Sequence, residues 1–123
     1  MTPDLSTAIL TFSHGPARFT RAGFARFRHT LAAAVGIDLG EMEMFGGRVP
    51  WEMVADPLVP LLRASDVAGR VAALRCGLVA ARLRSVLTDH PAVRTALGVI
   101  EADGVLAGLE AAAAANEPFE IHG

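Results

Sequence analysis

The chemistry-bearing side chains of this 123-residue chain are few and scattered, so each can be weighed separately. His14 follows Ser13 in the turn-forming run Ser13-His14-Gly15-Pro16, just after an apolar segment. Turns placed after strands often present catalytic residues. Adjacent residues rarely face one another, so Ser13 and His14 make no nucleophile–base pair unaided. Asp66 or Glu43 would have to orient His14 for it to act as a general base. The commoner fate of a turn histidine is a hydrogen bond to nearby backbone. His29 falls on a polar helix face, His90 precedes a proline at a helix start, and His122 is near the end of the chain. These three read as solvated or capping.

Glu41 and Glu43 lie close in sequence to Met44 and Trp51. A carboxylate beside an aromatic can do acid–base work. Asp38-Leu39-Gly40-Glu41, however, has the form of a capping box, which is the simpler role for Glu41. Arg28 could bind an anion or make a bidentate internal pair with an acid such as Asp66, pinning a helix to a loop. A small-molecule site would therefore draw on His14 and Asp66 as catalytic candidates and on Arg28, Glu43 and Trp51 as ligand contacts. It requires no metal and no cofactor. His-Glu-x-x-His, Gly-x-Ser-x-Gly and phosphate-binding glycine loops are all absent from the sequence.

The run Ala64-Ser65-Asp66-Val67-Ala68-Gly69-Arg70 separates two helical patterns, as the loop of an EF-hand does. With Gly69 at the sixth loop position, Val71 takes the hydrophobic eighth. The ligand positions then read Ala64, Asp66, Ala68 and Arg75. One carboxylate is too few for calcium, which takes about six to eight oxygens. The structural reading has Ser65 and Asp66 capping the turn and Gly69 making its bend. Ser65-Asp66-x-x-Gly69, following Pro57-Leu58-x-Pro60-Leu61-Leu62, resembles a small uncharacterised bacterial family whose EF-hand-like loop reads Ser-Asp-x-Asp-Gly. The helix Phe24-Ala25-Arg26-Phe27-Arg28-His29-Thr30-Leu31 and the tail Glu117-Pro118-Phe119-Glu120-Ile121 share in the resemblance, which spans nearly the whole chain. It implies this domain layout and no activity. The chain departs from the family where the second loop acid becomes Ala68 and a cysteine becomes Val67, which makes the loop degenerate.

The elements that must position these groups follow from periodicity and punctuation. Ala8 to Phe12 reads as a strand ended by turn residues. Thr20 caps a helix to about Val35, with Phe24, Phe27, Leu31 and Ala34 on one face. That spacing turns the phenylalanines inward, so their interleaving with Arg18, Arg21, Arg26 and Arg28 is core patterning and not a nucleic-acid patch. Asp56-Pro57 opens a short helix through Leu62. A helix from about Val71 to Leu87 carries Cys76, Val79, Leu83, Val86 and Leu87 on one face. Leu74 and Leu78 form a second face, which places this helix centrally. His90-Pro91 starts a last helix to about Ala115, stopped by Asn116. Val93, Leu97, Ile100, Gly104, Ala107 and Ala111 share one face of it, and its small residues admit another backbone. Glu117 to Ile121 reads as a strand able to pair with residues 8–12. The expected fold is one mainly α domain, 1–123: a compact bundle of three longer helices plus short ones, with a two-stranded sheet from the termini.

Composition narrows the function classes. Hydrophobic residues make up 52% of the chain, which excludes disorder. The single cysteine, Cys76, rules out an intrachain disulfide and a cysteine-rich zinc site. All 11 basic residues are arginine, yet they fall in blocks. Residues 1–37 and 63–94 are net basic, whereas 38–62 and 95–123 are net acidic. Alternating blocks favour contacts within the fold or between copies over a continuous phosphate-binding face, so nucleic acid is not an expected partner. The longest charge-free stretch, Leu5 to Ala17, falls short of the ~20 apolar residues of a membrane span, and Met1-Thr2-Pro3-Asp4 lacks a basic signal region. A soluble cytoplasmic protein without a membrane partner is expected. The leading functional expectation is a non-catalytic binding or assembly module that forms a homo-oligomer through its apolar-rich last helix. The alternative is a small metal-independent enzyme acting on a small molecule, with His14 as general base.

Overall fold

The computed structural model describes residues 8–64 and 68–123. Asp66, the second candidate catalytic residue, and Ser65 lie outside the described residues, as does any pairing of Arg28 with Asp66. Strand β1 (Ile9–Phe12) turns back through residues 13–18 into the short β2 (Phe19–Thr20). Thr20 then caps α1 (Arg21–Ala34), its hydroxyl accepting the Gly23 N–H at 2.9 Å. Single 3-10 turns at Leu39–Glu41 and Trp51–Met53 lead to α2 (Val59–Leu62). Strand β3 (Ala68–Val71), helices α3 (Ala73–Asp89), α4 (Pro91–Leu97) and α5 (Val99–Ala115), and strand β4 (Phe119–His122) complete the order.

This architecture corrects the expected three-helix bundle. Among the described residues the fold is mixed α/β, with five helices and a four-stranded antiparallel sheet in the order β2-β1-β4-β3. The pairing of the two chain ends is present, Phe12 opposite Ile121 and Thr11 opposite His122. The two further strands carry little local signal. β2 is two residues long, and in Ala68-Gly69-Arg70-Val71 only Val71 favours a strand. β3 exists because β4 offers it a ladder, with Gly69 opposite Ile121 and Val71 opposite Phe119. The helix–loop–helix reading of this region is therefore replaced: Gly69 lies in a strand and makes no tight bend.

The expected last helix is two helices. Gly98, at φ +91°, breaks it into α4 and α5, a conformation open to glycine and rarely to other residues. Asn116, in the left-handed region, ends α5 as expected, with the Glu117 N–H bonded to the Ala112 carbonyl. The buried face of α5 is Ala102, Gly104, Val105, Gly108, Leu109 and Ala112. Ile100, Ala107 and Ala111 point outward instead of inward, because Gly104 and Gly108 must face the chain's own turn at residues 14–17. That turn is the backbone the small residues admit. Leu74 and Leu78 likewise do not form a second core face of α3: they are 88% and 58% exposed.

The core lies between one side of the sheet and the helices. Leu10, Val71, Phe119 and Ile121 meet Phe24 and Leu31 of α1, Cys76, Val79 and Leu83 of α3, and Val105 and Leu109 of α5. Phe12, Phe19, Phe24 and Phe27 form a chain of tilted and edge-on rings, the closest pair being Phe19 and Phe27 at 5.1 Å. The phenylalanines of α1 thus point inward, as their spacing predicts. Among the described residues no helix is long and apolar enough to cross a membrane.

Candidate functional site

The sheet brings His14 against the far end of the chain. Its Nδ1 lies 2.9 Å from Ser13 Oγ and its Nε2 lies 3.5 Å from Glu117 Oε1. Ser13 and His14 do therefore face each other, contrary to the rule for neighbours, because the turn bends the backbone between them. The acid at His14 is Glu117, not Glu43. Ser13 Oγ also accepts the Glu120 N–H at 2.8 Å and lies 3.3 Å from the Pro118 carbonyl. Its proton and lone pairs are thus taken up inside the chain. The arrangement is a clasp that closes the β1 turn onto the start of β4, and Glu117 is largely exposed.

Glu43 and Trp51 are brought together elsewhere. The Trp51 backbone N–H donates to Glu43 Oε1 at 3.3 Å, and the indole N–H donates to the Glu43 carbonyl at 3.1 Å. Trp51 is buried, with Phe45 edge-on to it at 5.9 Å. Asp38 caps the preceding turn by accepting the Gly40 N–H. Arg28 is 5% exposed and lies over the rings of Phe24 (5.0 Å) and Phe45 (5.2 Å). Its guanidinium donates to the carbonyl of Ala64, so it does pin α1 to the start of the loop. Arg28, Phe45, Trp51 and Glu43 thus knit α1 to the 41–51 segment. The expected ligand contacts form internal structure.

A large cavity adjoins that knot, with Met44 and Ala64 in its lining. It is a groove of about 760 Å³ between α2, the outer edge of β3 and the first turns of α3. Met44, Val59, Pro60 and Leu78 supply apolar walls, and Arg63, Arg70 and Arg75 line it with positive charge. The acid in this lining is Asp56, which is already engaged. It accepts the Leu58 N–H at 2.9 Å and a forked pair from Arg82, with Nη2 at 3.2 Å from Oδ2. Arg63, Arg70 and Arg75 are exposed and make no ion pair with another described residue. Three arginines on one concave surface, none in an ion pair with a described residue, favour a positive potential there.

These arginines are the residues that sequence reasoning missed. Their signal is the basic block 63–94, which the charge pattern assigns to contacts with acidic blocks. Arg82, Arg84 and Arg94 do make such contacts, with Asp56, Glu110 and Asp103. The other three make no ion pair with a described residue. Among the described residues no group of three or more His, Cys, Asp or Glu side chains is placed to hold a metal ion. No family model matches the chain, and no curated protein or solved structure matches it either.

Proposed function

We propose that the protein is a non-catalytic binding module that takes an anionic ligand with an apolar part in the groove between α2, β3 and α3. The observation that carries this reading is the convergence of Arg63, Arg70 and Arg75 on one groove with apolar walls. Its volume lies within the ~300–1,000 Å³ of small-ligand sites. Guanidinium groups suit carboxylates and phosphates because their donors form a rigid fork. The single buried thiol suits a reducing, cytoplasmic setting. Titration with octanoate, followed by amide NMR, tests the reading. The resonances of Arg70, Ala72 and Leu78 should move in wild type and stay still in the R63A/R70A/R75A variant. Shifts confined to other surfaces, or equal shifts in the variant, would overturn it.

A second reading is assembly of copies along α5. It is favoured by Ile100, 84% exposed on the outer face that also carries Ala107 and Ala111. Light scattering over a range of concentrations separates the two, because self-association requires a mass above 12.9 kDa that I100E lowers.

A further inference from the structure

We infer that the groove takes an unbranched alkyl chain carrying an anionic head, and that Met44 is the side chain that grips the chain. This rests on the groove being the binding site and names the class of its occupant. Apart from the three arginines and the engaged Asp56, every described lining residue is alanine, glycine, proline, valine, leucine or methionine. The described lining offers no aromatic ring on which a planar group could stack. It also offers no hydroxyl or amide side chain to read polar substituents. An alkyl chain asks for neither, so the polar recognition falls to its head and the arginines.

Met44 is held at a cost to the fold. Among the described residues, Met44 (φ +71°) and Asn116 are the two other than glycine in the left-handed region. Asparagine tolerates that region and ends α5 there, whereas methionine gains nothing from it. The turn imposes the conformation. The Phe45 and Gly47 N–H groups both donate to the Met42 carbonyl, at 3.1 and 3.2 Å, and the Glu43 N–H donates to the Val49 carbonyl at 2.9 Å. A glycine would meet this demand with less strain, as Gly46 does at φ +98°. Nor does core packing explain the side chain, which is 77% exposed. It lines the groove, as does the exposed Leu78 from α3. Strain kept at an exposed apolar residue beside a cavity points to a ligand contact. Methionine is unbranched and adaptable, so it can mould to a chain whose own bonds rotate.

The test measures Kd by amide NMR for butanoate, octanoate and octyl phosphate against the full chain, below their micelle concentrations. Wild type should bind octanoate at least about tenfold more tightly than butanoate, since each buried methylene is worth up to about fourfold. M44G should weaken octanoate by about three- to tenfold and leave butanoate within about twofold. L78S should lose octanoate affinity in the same range. The urea midpoint of M44G should equal or exceed that of wild type, because glycine relieves the left-handed backbone. Octanoate or octyl phosphate showing this dependence supports the inference, and the tighter of the two identifies the head. Butanoate binding as tightly as octanoate, or octanoate binding equally to M44G, would overturn the inference while leaving the anionic groove intact. A lowered midpoint in M44G would also overturn it, since Met44 would then serve the fold. No binding of either eight-carbon ligand, equal binding by R63A/R70A/R75A, or binding confined to phosphatidylglycerol vesicles would overturn both.

Discussion

Gly15 and Gly108 meet backbone to backbone. A Cβ built on Gly15 would lie 2.5 Å from the Cα of Gly108, and one on Gly108 would lie 2.5 Å from the carbonyl oxygen of His14. A Cβ on Gly104, one turn earlier, would likewise lie 3.1 Å from the Cα of Ala17. The turn that presents Ser13 and His14 is therefore seated in a notch on α5, and the clasp to β4 depends on that seat.

Gly108→Ala should destabilise the fold by about 1–3 kcal/mol, the usual cost of forcing extra volume into a packed contact, despite alanine's better helix propensity. Gly77→Ala is the control. Its Cβ would meet only the Ala113 methyl at 4.0 Å, so it should stabilise α3 by up to about 1 kcal/mol. Urea unfolding of the two variants should shift the midpoint in opposite directions.

Arg28→Ala should cost about 2–4 kcal/mol, because it removes a cation from over two rings and leaves the Ala64 carbonyl without its donor. Arg28→Lys keeps the charge and loses the planar fork, and should fall between wild type and alanine. Thermal unfolding that places the lysine variant below alanine would contradict this account.

Asp103 is hydrogen-bonded by Arg94, with Nη2 at 2.6 Å from Oδ2, and this bond holds its carboxyl below the usual aspartate range. Its contribution to stability is therefore present above the unfolded value of about 3.9 and is lost as pH falls through the lower folded one. Both side chains are well exposed, so the effect is small and screened by salt. Carbon-13 NMR titration should find the Asp103 midpoint depressed in wild type and moved up in R94A.

Cys76 is fully buried at the junction of β3, α3 and β4, and burial pushes its thiol up against the opposing hydrogen bonding at Phe119. A buried protonated thiol is a poor nucleophile. Iodoacetamide should label the native protein far more slowly than a free thiol, and labelling should accelerate only with urea concentrations that unfold the chain. Labelling of the native state at the rate of a free thiol would contradict this.

Several elements are legible along the chain because local forces make them. Thr20 at the start of α1, Asn116 at the end of α5 and the inward phenylalanines follow from capping and a 3.6-residue period. β1 and β4 stand out as short apolar runs between turn residues. Periodicity also finds the stripes Leu74/Leu78 and Ile100/Ala107/Ala111, but it cannot orient them. A stripe is buried only if another element arrives to cover it. On α5 the glycines claimed the inner side, because the 14–17 turn had to approach closely.

The site shows the same division. Residue types alone mark His14, Arg28, Glu43 and Trp51 as chemically capable, and they exclude a disulfide framework. Folding assigned those four to clasps and internal packing. Glu117, the acid at His14, lies 103 residues away along the chain, and Ser13 meets Glu120 across 107. Strand β3 and the groove beside it arise from pairing with β4, so Arg63, Arg70 and Arg75 converge only once that register is set. Capping and helical spacing act within a few residues and are written locally. Ladder register, burial and the pairing of charges are settled between distant segments by competition for the same partners. For Arg63, Arg70 and Arg75 that competition left no acid among the described residues to bind them.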